Sequence, residues 1–369
     1  MINFRDYKII VIKIGSSLIV DSKNNKLRIS FIKHLAKDIK QLHKIGLKVV
    51  VVSSGSVACG CNALNINRKT LNLDKLQALA SYGQTFLIEH YKKQFAKYGL
   101  KVSQMLITSE DCQSRRHYLN MRATIENLFE LGIVPVINEN DSTVTEEIRF
   151  GDNDNLSAQT AHLVNAGLLV ILSDVSGLHD KNPSKFDDAK VIPRIDKITP
   201  EIINMAKSET SYLGTGGMAS KVKAAQIAVK GGTDVVITEG KGKNTILGLE
   251  KYKLHSFFSA SKKPISARKR WLSNLKTSKA IIIDDGAVQA LRKRNSLLPV
   301  GVVDFIGEFA RGDTVKIMTL SKKNIAVGMT SIDSSELKKM MGLGTSKIVE
   351  KYQVPSRVVV VHYDNLVLN

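Results

Sequence analysis

Six short apolar runs, each closed by glycine, serine or another polar residue, set the strongest limit on what this chain can fold into. They are "KIIVIKIGSS", "KVVVVSSGS", "KVSQMLIT", "IVPVINEN", "LLVILSDVSG" and "DVVITEG". Most are apolar at successive positions, as strands covered on both faces are, and none approaches the roughly 18 apolar residues of a membrane helix. Between them lie apolar periods of helical spacing, at Phe31–Ile45, Leu73–Tyr98 and Asn120–Leu131. Strand and helix alternating in this way predict an α/β domain around a mainly parallel sheet over the first two-thirds of the chain. In such sheets ligands bind beyond the carboxyl ends of the strands, which is where the Gly, Ser and Asp punctuation falls.

The rhythm stops at "SASKKPISARKRWLSNLKTS", Ser259 to Ser278, with its proline, its five basic residues between Lys262 and Arg270 and the only tryptophan. The break predicts one domain over residues 1–260, a linker over 261–277 and a second domain over 278–369. Short strands with glycine turns follow, in "KAIIIDDG", "VGVVDFIGEFARGDTVKIMTL", "NIAVGMTS" and "SRVVVVHYDN", with helical pieces at Ala287–Arg294 and Ser334–Met341. That pattern predicts a small β-rich domain. Residues 241–369 hold 23 basic and 10 acidic side chains, so this last third carries +13 of the net +20. Such an excess favours anionic partners such as nucleotides, acidic metabolites or RNA, although a merely solubilising surface would look the same. Cys59, Cys61 and Cys112 fit no zinc spacing and leave an odd thiol in any disulfide scheme, so they are expected as reduced packing residues. The start "MINFRDYKIIVIKIG" has no secretory pattern, and the expected location is cytoplasmic.

Three glycine loops carry candidate chemistry. In "VIKIGSS" strand alternation turns Lys13 away from its apolar neighbours, and Gly15 lets backbone approach a ligand; a solvated edge lysine is the plainer reading. In "VVSSGSVACG" Ser54 and Gly55 precede a helix start at Ser56, suited to an anion or to an ordinary serine cap. In "YLGTGGMASKVKAAQIAVKGG" Thr215, Gly216 and Gly217 lead into a helix from about Met218, with Lys221 in its first turns, a plausible phosphate cradle. That loop also matches G-x-G-x-x-A with Asp234 twenty residues after Gly214. A dinucleotide site would need a strand before the glycines and an acid at a strand end, whereas Asp234 starts "DVVIT".

Two polar clusters stand at presumed strand ends. "INENDST" closes a sharply apolar strand with groups able to hold an amino acid's ammonium and carboxylate, or with a solvated Asx turn. "GDNDN" opens a helix with more polar groups than one cap requires, and Asp154 could both place and neutralise two lysines.

Taken in order, "VIKIGSS", "VSSG", "QMLIT", "VPVINEND", "GDNDNLSA", "LSDVSGL" and "LGTGGMASK" resemble the amino-acid kinase family, and "INEND" with "GDNDNLSA" is similar to its glutamate 5-kinase branch. The tail "DDGAVQALRKRNSLLPVGVVDFIGEFARGDTV" resembles the PUA domain, an RNA-binding module in other settings that is appended to many bacterial members of that branch. The resemblance spans nearly the whole chain. It implies a three-layer αβα sandwich around a mainly parallel sheet, followed by the small β-rich domain. It also implies transfer of the γ-phosphoryl group of ATP, with Mg2+, to the side-chain carboxylate of L-glutamate, the first step of proline biosynthesis. An acceptor carboxylate with a pKa near about 4.3 is already ionised at pH 7 and needs no general base. Positioning and charge stabilisation then carry the reaction, and the want of a His dyad or a nucleophilic Cys agrees with that.

Carried over by position, Lys13 and Lys221 would contact the phosphoryl groups, Asp154 would orient both, and Gly15 and Gly55 would donate backbone hydrogen bonds to the transferring group. Ser54, Asp141 and Asn153 match glutamate contacts, with Asn138 beside them. Ser173, Asp174 and the stretch Thr215, Gly216, Gly217, Met218, Ala219, Ser220 and Lys221 match the ATP site, with Lys13 serving it as well. Magnesium is expected on phosphate oxygens and water, with no protein ligand. Ser53 and Ser173 stand where the family often has threonine, and Ala219-Ser220 replaces a common Ser-Thr pair. The resemblance further implies feedback binding of proline and assembly as a dimer or tetramer. Other acceptors within the fold (N-acetylglutamate, aspartate, carbamate or uridine monophosphate) stay open, as does an RNA-binding regulator, for which Phe305, Phe309 and Tyr352 are sparse as stacking residues.

Overall fold

The computed structural model describes residues 2–21, 27–67, 71–143, 153–183, 185–208, 217–251, 254–260, 277–352 and 358–368. The chain divides into two compact units, Met1–Ile265 and Ser266–Asn369. Of the linker expected at 261–277, all but position 277 lies outside the described residues.

In the first unit all six apolar runs form strands: β1 (Ile9–Ile14), β2 (Lys48–Val52), β3 (Lys101–Ile107), β4 (Ile133–Glu139), β5 (Leu168–Ser173) and, after the two-residue β6 (Arg194–Ile195), β7 (Asp234–Glu239). With β8 (His255–Phe258) they make an eight-stranded sheet in the order β3-β4-β2-β1-β5-β7-β8-β6. Every neighbouring pair is parallel except β7 and β8. Strand alternation splits the central strand β1 between two layers. Ile10, Ile12 and Ile14 join a core built with Ile32, Leu35 and Ile39 of α2 (Ile29–Lys44) and Leu87, Tyr91 and Phe95 of α4 (Leu73–Ala96). Val11 and Lys13 face the opposite way, toward the layer that holds α7 (Asn153–Leu163) and α9 (Met218–Lys230).

Two helix starts follow capping rather than hydrophobic period. The helix expected from Asn120 begins five residues earlier, as α6 (Arg115–Glu130), because the Ser114 side chain accepts from the His117 N–H. Before it, Thr108 and Asp111 form a reciprocal capping box that starts α5 (Ser109–Gln113), a helix with no apolar signature of its own. The start expected at Ser56 is that of α3 (Ser56–Ala63), which crosses α4 at backbone contact: a Cβ on Gly83 would lie 2.0 Å from the Ser56 carbonyl oxygen, and one on Gly60 2.1 Å from that of Leu79. The three cysteines are buried and form no disulfide, and burial pushes the thiols of Cys59 and Cys112 up to about 12. No described helix is long and apolar enough to cross a membrane.

The second unit is a five-stranded sheet in the order β10-β9-β11-β12-β13, from β9 (Ala280–Ile283), β10 (Val302–Ile306), β11 (Thr314–Thr319), β12 (Asn324–Met329) and β13 (Leu366–Leu368). Only β9 and β11 run parallel. Its core gathers Ile281, Ile283, Leu291, Phe309, Val315, Ile317, Leu337, Val360 and Leu366. One expectation fails here. Within "SRVVVVHYDN" the described residues are not a strand: Val360 donates to the Leu297 carbonyl, Val361 accepts from the Leu297 N–H, and the Val360 carbonyl accepts from Ser331. Its backbone is spent on loops, and the edge strand is the later Leu366–Leu368. The helix α12 (Thr345–Tyr352) went unpredicted because only Ile348 of it is buried, too little for a period to read.

Candidate active site

Strand ends and helix starts converge on the site. Lys13 is the penultimate residue of β1, Asn138 stands near the end of β4, Asn153 and Asp154 open α7, and Ser220 and Lys221 lie in the first turn of α9. Lys13, Asp154 and Lys221 are 5%, 1% and 6% exposed.

Asp154 is the hub of a first cluster. Its Oδ1 lies 2.5 Å from Lys13 Nζ, its Oδ2 lies 3.4 Å from Lys221 Nζ, and Ser220 Oγ donates to Oδ2 at 2.7 Å. Burial by itself would raise the Asp154 carboxyl. The charges of Lys13 and Lys221, with the hydrogen bonds from Lys13 and Ser220, outweigh it and hold the group at about 2. Two ammonium groups converging on one carboxylate make a place suited to an incoming anion.

Asn153, the neighbouring residue, belongs to a second cluster. Its Nδ2 faces three oxygens: the Ser53 carbonyl at 2.9 Å, Ser54 Oγ at 2.7 Å and Asn138 Oδ1 at 3.1 Å. Its Oδ1 is buried with no hydrogen-bond partner. Asp141, one turn beyond β4, accepts from Ser56 Oγ at 2.7 Å through its Oδ2. The polar knot at the start of α7 thus serves two neighbourhoods from consecutive residues.

The glycine loops divide. Gly55 is the N-cap residue of α3 with φ +107°, a conformation glycine adopts without strain, and no side chain caps that helix, so the plain serine-cap reading does not hold. The Gly15 N–H donates to the Leu172 carbonyl at 3.1 Å, so the donation expected from it toward a ligand is taken up by the sheet. Ser173 is buried at the end of β5 and its Oγ donates to the exposed Asp174 at 3.0 Å. Of the third loop, Gly217, Met218, Ala219, Ser220 and Lys221 are described, and Thr215 and Gly216 lie outside the described residues, as does Gly151. Asp234 accepts from Tyr7 Oη at 2.9 Å and from the Ala260 N–H at 2.7 Å, a structural post at the start of β7.

Sequence reasoning missed two residues behind the second cluster. Gln84 accepts from Asn138 Nδ2 at 2.8 Å, and Tyr91 shares a 3.0 Å hydrogen bond with Ser53 Oγ. Both lie on the buried face of α4, seven residues apart. A lone glutamine on an apolar helical face was the available signal.

Residues 8–239 match the model of the amino acid kinase family, and residues 279–352 match that of the PUA domain. The chain is 42% identical over 359 residues to the glutamate 5-kinase of Ruegeria sp. (strain TM1040), covering 97% of this chain and 98% of that one. It is 43% identical over 363 residues to the glutamate 5-kinase of Bartonella henselae, covering 98% and 96%, and 41% identical over 364 residues to that of Pelagibacter ubique, covering 98% and 99%. This chain is therefore a member of the amino acid kinase family, in its glutamate 5-kinase branch with a carboxy-terminal PUA domain.

Proposed function

We propose that the chain transfers the γ-phosphoryl group of ATP to the side-chain carboxylate of L-glutamate, giving L-glutamyl 5-phosphate and ADP, the first step of proline biosynthesis. The observation that carries the reading is the pair Asn153 and Asp154: one faces a cluster of amide and hydroxyl groups, the other holds two buried ammonium groups. A zwitterionic acceptor suits the first and a polyphosphate suits the second.

In this reading Lys13 and Lys221 lie against the phosphoryl groups and neutralise the charge that spreads as the γ-phosphoryl moves. Asp154 holds them close together before substrate arrives, so little reorganisation is left for the transition state. The acceptor carboxylate attacks as the anion, and no proton has to be moved. Gly55 offers backbone at the transferring group. Ser173, Asp174 and the loop ending in Gly217–Lys221 receive the nucleotide. Magnesium arrives as part of the Mg·ATP substrate, held mostly by phosphate oxygens and water. Feedback binding of proline at the glutamate position, assembly as a dimer or tetramer, and RNA binding by the PUA domain belong to the same reading as further expectations.

Asp141, Ser54 and Asn153 are assigned to glutamate. Asp141→Ala is accordingly expected to raise the KM for glutamate about ten- to a hundredfold through loss of a charged hydrogen-bond partner, with a much smaller change in kcat. Initial rates at varied glutamate check this, and an unchanged KM removes Asp141 from the substrate contacts. The acceptor itself is tested by turnover with glutamate set against N-acetylglutamate, aspartate and carbamate at equal concentration. Faster turnover of any of the last three would replace glutamate in the proposal.

A further inference from the structure

The second cluster has a supporting layer in α4. Gln84 is 6% exposed and belongs to none of the residue sets carried over from sequence, yet its Oε1 accepts from Asn138 Nδ2 at 2.8 Å across 54 residues of chain. The other end of the same amide, Asn138 Oδ1, accepts from the Glu139 N–H at 2.9 Å and from Asn153 Nδ2 at 3.1 Å. The fixed backbone N–H of Glu139 orients the Asn138 amide with its oxygen toward Glu139 and Asn153, and its nitrogen then meets the acceptor that Gln84 supplies. Asn153 inherits that polarity. Its two N–H groups lie among three oxygens, one of them the Ser53 carbonyl that can only accept, and so its unpaired Oδ1 is the atom it offers as an acceptor. An ammonium group is the natural donor to it.

We propose that Gln84 is a positioning residue for the glutamate acceptor, acting through Asn138 to fix the amide of Asn153 with its oxygen toward the substrate's ammonium. The inference rests on the glutamate reading above. Gln84 itself touches no substrate. What it supplies is an acceptor for a buried N–H that has no other use, since an amide nitrogen left without a partner in so buried a place would drive Asn138 to another rotamer. The helix crossing fixes the geometry: Gly83, the preceding residue, lies against the backbone of Ser56 and Gly60, so Gln84 is held at one depth behind β4.

The test is steady-state kinetics on full-length wild type, Gln84→Met, Asn138→Ala and the double variant, with thermal unfolding of each as a check of folding. Gln84→Met keeps the apolar bulk and removes the acceptor. It is expected to raise the KM for glutamate about tenfold while kcat and the KM for Mg·ATP stay within about threefold. On the Asn138→Ala background the same change should add little, because the group through which Gln84 acts is gone. A glutamate KM within twofold of wild type in folded Gln84→Met, an equal rise in the Mg·ATP KM, or full additivity with Asn138→Ala would each overturn the proposal. Should Gln84→Met fail to fold, Gln84→Glu retains an acceptor and is expected within about threefold of wild type; a tenfold rise there would likewise count against it. Wild type that turns over Mg·ATP but not glutamate removes the glutamate reading and this inference with it, whereas wild type active on glutamate with an indifferent Gln84→Met removes only the inference.

Discussion

Asp154→Asn lowers kcat for glutamate phosphorylation by about a thousandfold, the loss typical of removing one preorganised electrostatic group from a phosphoryl-transfer site. The carboxylate stands 2.5 and 3.4 Å from two ammonium groups that are almost wholly buried. A neutral amide leaves two like charges facing each other without their counterion, so one is displaced or loses its proton and the phosphate contacts go with it. Lys221→Ala should act at the same step and to a similar extent. Because the folded-state carboxyl sits at about 2, below its value of ~3.9 in the unfolded chain, the stability it contributes is fully present above pH 4. It is lost as pH falls from 4 toward 2. Wild type should lose about 2 kcal/mol more than Asp154→Asn over that window in denaturant unfolding. Parallel curves would deny Asp154 the depressed pKa, and a near-normal kcat in the variant would take it out of the mechanism.

Gly83→Ala destabilises the first unit by about 3 kcal/mol or prevents its folding, at the upper end of what an inserted methyl costs in a packed core. The added Cβ would lie 2.0 Å from the Ser56 carbonyl oxygen and 2.3 Å from the Gly60 nitrogen. Both are backbone atoms, so relief requires α3 and α4 to separate rather than one side chain to turn. The site would suffer too, because α3 begins at Gly55 and Ser56 while α4 carries Gln84 and Tyr91. By contrast Gly344→Ala, where a methyl meets nothing within 4 Å, should shift Tm hardly at all. Calorimetry on the two variants makes the comparison, and a Gly83→Ala protein as stable as wild type would show that the helices can part without cost.

Much of this was legible from residue order. A run such as "LLVILS" reads as a strand buried on both faces, and the Asp in the polar knot that precedes it could place and neutralise two lysines. Lys13 and Lys221 were the cations within reach by strand and helix position. What stayed hidden depends on distances between segments far apart in sequence. The contact of Gly60 with Gly83 reads as two unremarked glycines until the helices cross. Gln84 reads as a misplaced polar residue until Asn138 is set beside it. Gly15 invited a ligand role, yet its N–H is spent on Leu172, because sheet pairing continues one residue past the strand. "RVVVV" has strand composition, but Leu297 and Ser331 take its backbone groups first.

The central claim is acyl-phosphate chemistry at the clusters around Asn153 and Asp154, and trapping the product tests it most directly. ADP release from Mg·ATP would be followed with and without L-glutamate, in the presence of hydroxylamine to convert an acyl phosphate to the hydroxamate. Glutamate-dependent ADP matched mole for mole by hydroxamate is the predicted result. Folded protein that releases no ADP with glutamate, or releases it without hydroxamate, would contradict it.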